Sequence, residues 1–130
     1  MFVRLAMPED VDEVVEMGRD NWETSFPEIP FDEPRCRETF QEYLDTASPT
    51  IWVVEHKRMP IAFLLADMYG YRAAAGFFAS QEILYVKREH RGSRASVLLM
   101  KHFIEWSEGL GAREIVGGVD NAQNIDHFLI

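Results

Sequence analysis

The chain has one cysteine, Cys36, in 130 residues, which excludes an internal disulfide framework. It has no apolar run near the roughly 20 residues that a membrane span needs. The opening "MFVRLAMPEDVDEVV" lacks a basic region followed by a long apolar stretch, so it does not read as a secretory signal. His56 and His127 have no Cys or His at metal-ligand spacing, and no metal site is expected. These absences point to a soluble, cytoplasmic domain that avoids membranes. Positive charge is also scarce where negative charge is dense. Residues 1–50 carry 13 Asp/Glu against 4 Lys/Arg, whereas residues 51–130 carry 9 of each. The whole net charge of −9 therefore lies in the first 50 residues. Such a chain is a poor general binder of nucleic acid.

Hydrophobic residues make up 47% of the chain, enough for one compact domain spanning residues 1–130. "FVRLA" reads as a first strand. Pro8 then opens a helix, with Glu9 and Asp10 in its first turn and Val11, Val14, Val15, Gly18 and Trp22 at helical spacing. "FPEIPFDEP", with three prolines, is a loop. Cys36, Phe40, Tyr43, Leu44 and Ala47 form the apolar stripe of a second helix. "TIWVVEH", "IAFLLADMYGYR" and "FFASQEILYVK" read as three strands. Ala95, Leu98, Leu99, His102, Phe103, Trp106 and Leu110 line a third helix, which Gly109 and Gly111 end. "REIVGGV" is a short strand, and "NAQNIDHFLI" begins a further helix. The predicted order is β-α-α-β-β-β-α-β-α.

The exception to the scarcity of positive charge is "KREHRGSRAS", residues 87–96, where Lys87, Arg88, Arg91 and Arg94 crowd a strand-to-helix junction. A helix start exposes unpaired N–H groups and the positive end of the dipole, which together make an anion site. Gly92 allows close backbone approach, Ser93, Arg94, Ala95 and Ser96 supply successive N–H groups, and Arg91 and Arg94 can add charge-assisted hydrogen bonds. Two readings stay open from these residues alone: a phosphate site, or a solvated basic helix start.

"ILYVKREHRGSRASVLL" resembles the strand, pyrophosphate loop and helix of the GNAT superfamily of acyl-CoA-dependent N-acyltransferases, whose loop has the form (Q/R)-x-x-G-x-(G/A). Val86 ends the strand and Arg91 takes the Q/R place. "VRLAMPEDVDEVVEM", "GLGAREIVGGV" and "NAQNIDHF" resemble the first strand and helix, the fifth strand and the start of the fourth helix. The resemblance implies an α/β fold with a mixed, mostly antiparallel sheet flanked by helices. It also implies a gap between the fourth and fifth strands that takes the pantetheine arm. Acetyl-CoA is the implied co-substrate, held near Leu84, Val86 and residues 91–96, with Asn121 on the fourth helix as a further contact.

An amine acceptor, a small molecule or a protein lysine or N-terminus, would attack directly, without a covalent enzyme intermediate. Glu82 is the candidate base. Alternation places it on the face of Leu84 and Val86 unless a bulge intervenes. Three departures from the family pattern stand out. Arg94 and Ser96 replace small loop residues. The place of a family tyrosine that protonates the thiolate falls on Phe128, leaving water or Tyr85. The usual final hairpin is missing, which leaves one side of the fifth strand unpaired and predicts self-association or a larger assembly through 113–130. The competing readings are a non-catalytic GNAT-like binding or structural module and, more remotely, a nucleotide-binding module.

Overall fold

The computed structural model describes residues 1–46, 50–118 and 125–129. Six strands form one sheet in sequence order, β1-β2-β3-β4-β5-β6. They are β1 (Phe2–Leu5), β2 (Thr50–His56), β3 (Met59–Gly70), β4 (Phe77–Val86), β5 (Glu114–Gly118) and β6 (Ile125–Leu129). The helices are α1 (Val11–Ser25), α2 (Glu33–Leu44) and α3 (Ala95–Gly109). All strand pairs are antiparallel except β4–β5. The fold is thus the mixed α/β sheet that the sequence predicts.

β3 lies at the centre, and Ile61 to Ala66 are all buried. A strand covered on both faces reads as a continuous apolar run rather than an alternation, as "IAFLLA" does. On one face, α3 brings Ala95, Leu99 and Phe103 against Trp52, Val54, Leu64 and Ala66. On the other, α1 and α2 bring Val11, Val14, Val15 and Phe40 against Val53, Phe63, Leu65 and Tyr85. Gly18 permits the close approach of α1 to α2, because a Cβ there would stand 3.1 Å from the Phe40 ring. At the sheet edge, Arg4 pairs with Asp10 at 2.7 Å and with Glu55 at 2.8 Å. The Arg4 guanidinium and the Met7 N–H hold the Asp10 carboxyl below its usual range, although burial acts in the opposite direction.

The C-terminal segment departs from the predicted order. Residues 125–129 form not a helix but β6, which pairs with β5 from Glu114↔Leu129 to Gly118↔Ile125. The outer edge of β5 is therefore covered, contrary to the expectation of an unpaired side. The physical reason is tertiary: an apolar strand left with a row of unpaired N–H and C=O groups is satisfied by the returning chain. Phe128 accordingly stands opposite Ile115 in a strand, not on a helix. Asn121, and Ala47 of the predicted apolar stripe, lie outside the described residues. No helix among the described residues is long and apolar enough to cross a membrane.

Candidate functional site

The site begins where β4 and β5 part. They pair in parallel from Phe78↔Glu114 to Gln81↔Gly117 and no further. On the other side, Leu65 pairs with Ile83 and Ala66 with Gln81, so Glu82 is an extra residue without a partner in β3. This is a β-bulge, which bends a strand and re-aims its side chains. Beyond it, β4 runs on to Val86, and among the described residues no strand pairs with its β5-facing edge. The Lys87 N–H donates to the Ile61 carbonyl, on the β3 side. Backbone groups alternate along an antiparallel strand, so those of Leu84 and Val86 point to the open edge.

After β4, a 3-10 turn (Arg88–His90) leads to Gly92, which has φ +85, and then to α3. A positive φ of this size is readily taken only by glycine. The Ser93 N–H donates to the His90 carbonyl at 3.2 Å, and the Ala95 N–H to Ser93 Oγ at 3.3 Å. Among the described residues, the N–H groups of Gly92, Arg94, Ser96 and Val97 have no acceptor. Four free donors at a helix N-terminus are a local arrangement that favours an anion. Of these residues, Gly92 and Ser96 line a cavity of about 440 Å³ together with Leu84, Tyr85, Val86, His90, Arg91 and Ser93, with Asn21, Thr24 and Ser25 of α1 as the opposite wall. Leu84 and Ser96 also line an adjoining apolar groove of about 560 Å³ along α3.

The arginines are not all arranged as the sequence suggests. Arg91 turns back along β4: its Nε donates to the Val86 carbonyl at 3.0 Å, and its guanidinium lies 5.4 Å from the Tyr85 ring centre. Arg88 is drawn to α1, where it holds Asp20 at 2.9 Å and the Thr24 hydroxyl at 3.1 Å. Arg94 is exposed at the mouth of the loop. Tyr85 donates its hydroxyl to Asp20. Burial, reinforced by the Asp20 carboxylate, pushes the Tyr85 phenol up to about 12. Arg88, followed by Tyr85, holds Asp20 below the ordinary carboxylate range.

On the α1/α2 face, the bulge sends Glu82 away from Leu84 and Val86. Its carboxylate accepts a 2.6 Å hydrogen bond from the Tyr69 hydroxyl. Nearby, Tyr43 Oη donates to Asp67 at 3.5 Å. The Tyr43 phenol is pushed up to about 12 by burial and then by Asp67 and Glu82, so it stays a neutral donor at working pH. A second cavity, about 410 Å³, lies between α1, the loop to α2, α2 and the sheet. Its lining includes Asn21, Trp22, Ile29, Phe31, Phe40, Leu65 and Ile83. Asn21 lines both cavities, and Glu82 itself lines neither.

Other candidates take structural places. Cys36 is half-buried in the second cavity, with its thiol pushed up to about 11 by burial. His102 packs edge-on against Trp52 at 5.0 Å, and His56 against His90 at 5.6 Å. Among the described residues, no group of three or more His, Cys, Asp or Glu could hold a metal ion. Sequence reasoning missed Asn21, Thr24 and Ser25, because polar residues near a helix end are indistinguishable from a solvated face.

The sequence model of the acetyltransferase (GNAT) family matches residues 12–128. No match was found among curated proteins. The fold is similar to that of an acetyltransferase from Vibrio fischeri, with TM-score 0.75, 18% identity, and 97% of this chain and 100% of that one covered. It is also similar to an aminoglycoside 6'-N-acetyltransferase from Acinetobacter haemolyticus, with TM-score 0.76, 15% identity and coverage of 95% and 82%. A predicted acetyltransferase from Clostridium acetobutylicum, solved with acetyl-CoA, gives TM-score 0.78, 14% identity and coverage of 90% and 79%.

Proposed function

The chain belongs to the GNAT acetyltransferase family, and from that premise we propose that it transfers an acetyl group from acetyl-CoA to a primary amine by direct attack in a ternary complex. The observation that carries this reading is the break between β4 and β5 at the Glu82 bulge, followed by a turn with four unpartnered N–H groups. An open strand edge suits an extended pantetheine arm, and the turn suits the pyrophosphate.

In this reading, the backbone groups of Leu84 and Val86 bind the arm as an added strand. Gly92, Ser93, Arg94, Ala95 and Ser96 surround the pyrophosphate. Arg91 leaves the Val86 carbonyl and adds its charge to the phosphates. The acceptor approaches from the α1/α2 side. Glu82, oriented by Tyr69, takes the ammonium proton directly or through water. The neutral amine attacks the acetyl carbonyl carbon, the tetrahedral intermediate collapses as the C–S bond breaks and CoA leaves as a thiolate, and the second proton of the attacking nitrogen passes to water. Water protonates the thiolate more readily than Tyr85, whose proton is engaged with Asp20 and whose pKa is pushed up to about 12.

Calorimetric titration with acetyl-CoA, followed by an acetylation assay with a mixed amine panel, tests the proposal. Binding and CoA release that depend on an amine support it. Absence of binding, or binding with no amine-dependent CoA release, overturns it.

A further inference from the structure

The second cavity has a chemistry that narrows the acceptor. Its walls are Trp22, Ile29, Pro30, Phe31, Phe40, Leu65 and Ile83, with few polar groups between them. Its volume of about 410 Å³ lies in the range of small-molecule sites. A peptide lysine brings only a slim four-carbon stem and would cover little of this wall.

Charge fixes which end of a ligand points where. Leu65 and Ile83 close the cavity at the sheet. One strand step farther on the same face come Asp67 and the bulged Glu82, with the Tyr43 and Tyr69 hydroxyls on these carboxylates. The outer end carries both signs: Asp32 and Arg35 line it, and Arg19, 4.7 Å from the Phe31 ring centre, is paired with Glu16, Glu23 and Glu33. The arrangement therefore matches an ammonium near the Asp67 and Glu82 carboxylates and an apolar body among the aromatic residues.

We infer that the acceptor is a primary amine with an aryl or alkyl body, seated in the cavity between α1, α2 and the Glu82 bulge. The inference rests on the acetyltransferase reading, but its test does not require that reading to hold. Titration of the protein alone with ethylamine, butylamine, hexylamine and 2-phenylethylamine can be followed at the Trp22 indole N–H resonance. This group donates to the Ile29 carbonyl at 2.9 Å and sits in the cavity wall. Each methylene buried raises affinity by about fourfold. Ile29 is exposed, so Ile29→Ser keeps the fold and flattens this dependence, while acetyl-CoA affinity stays unchanged.

In turnover, Asp67→Asn raises KM for the amine and leaves kcat nearly unchanged. Selective shifts at Trp22 that grow with apolar length support the inference even if acetyl-CoA does not bind. A flat series, tighter binding of spermidine or a lysine peptide, or a preference for octanoyl-CoA over acetyl-CoA, which would assign the cavity to the acyl chain, overturns it.

Discussion

Tyr69 donates a 2.6 Å hydrogen bond to Glu82, and it can do so because the bulge turns Glu82 out of alternation with Leu84 and Val86. The Tyr69 phenol is pushed well above its usual range, first by burial and then by this carboxylate, so it remains a neutral donor. Glu82 is thereby held in place next to Ile83, which lines the second cavity.

Glu82→Gln is expected to lower turnover by about 10²–10⁴-fold, the ordinary contribution of a general base, with acetyl-CoA affinity nearly intact. Tyr69→Phe frees the carboxylate and lowers kcat by a smaller factor. An acetylation assay over pH, paired with calorimetry, reads both. Full activity of Glu82→Gln with a good acceptor removes Glu82 from the chemistry.

Tyr85→Phe distinguishes two sources of the thiolate's proton. With water as donor, turnover stays within about tenfold of the parent. Stability falls because Asp20 loses a donor, and a hydrogen bond to a charged group contributes about 1.5–3 kcal/mol. A thousandfold loss of kcat in a folded Tyr85→Phe protein would make Tyr85 the acid.

The Arg4–Asp10 pair carries a pH dependence of stability. The folded-state pKa of Asp10 is depressed, so its contribution is fully present above the unfolded carboxylate range and is lost as pH falls through the folded value. Asp10→Asn is expected to cost about 2 kcal/mol at pH 7, in keeping with a charged hydrogen bond. The difference from the parent should shrink below about pH 4 and vanish in stronger acid. Urea unfolding of both proteins from pH 7 to pH 3 measures it, and a constant difference contradicts the assignment.

The strand, turn and α3 start were legible in the sequence, since an apolar run, a glycine and a basic helix opening each carry a local signal. The direction of Glu82 was not. Alternation predicts one face, and only the register against β3 reveals the extra residue. The direction of Arg91 is likewise not written in the local pattern, because its Nε finds the Val86 carbonyl five residues back. The end of the chain misled for another reason. "NAQN" reads as a helix start, whereas residues 125–129 answer the demand of the β5 edge, a tertiary effect that outweighs local propensity.

The central claim is that acetyl-CoA binds at the turn between β4 and α3, and Gly92 tests it most directly. No protein atom lies within 4 Å of a Cβ built on Gly92, so Gly92→Val acts through its φ of +85 and through the approach of a ligand to the backbone. The backbone strain costs about 1–2 kcal/mol in the free protein. Thermal unfolding of parent and variant, each with and without acetyl-CoA or ATP, separates strain from binding. Ligand at a hundredfold excess over Kd adds about 2.7 kcal/mol to the stability of the form that binds it. Acetyl-CoA is expected to raise the Tm of the parent, equal ATP is expected to leave it unchanged, and Gly92→Val is expected to remain folded with the acetyl-CoA shift lost. An undiminished shift in the folded variant, or an equal shift from ATP in the parent, contradicts the claim.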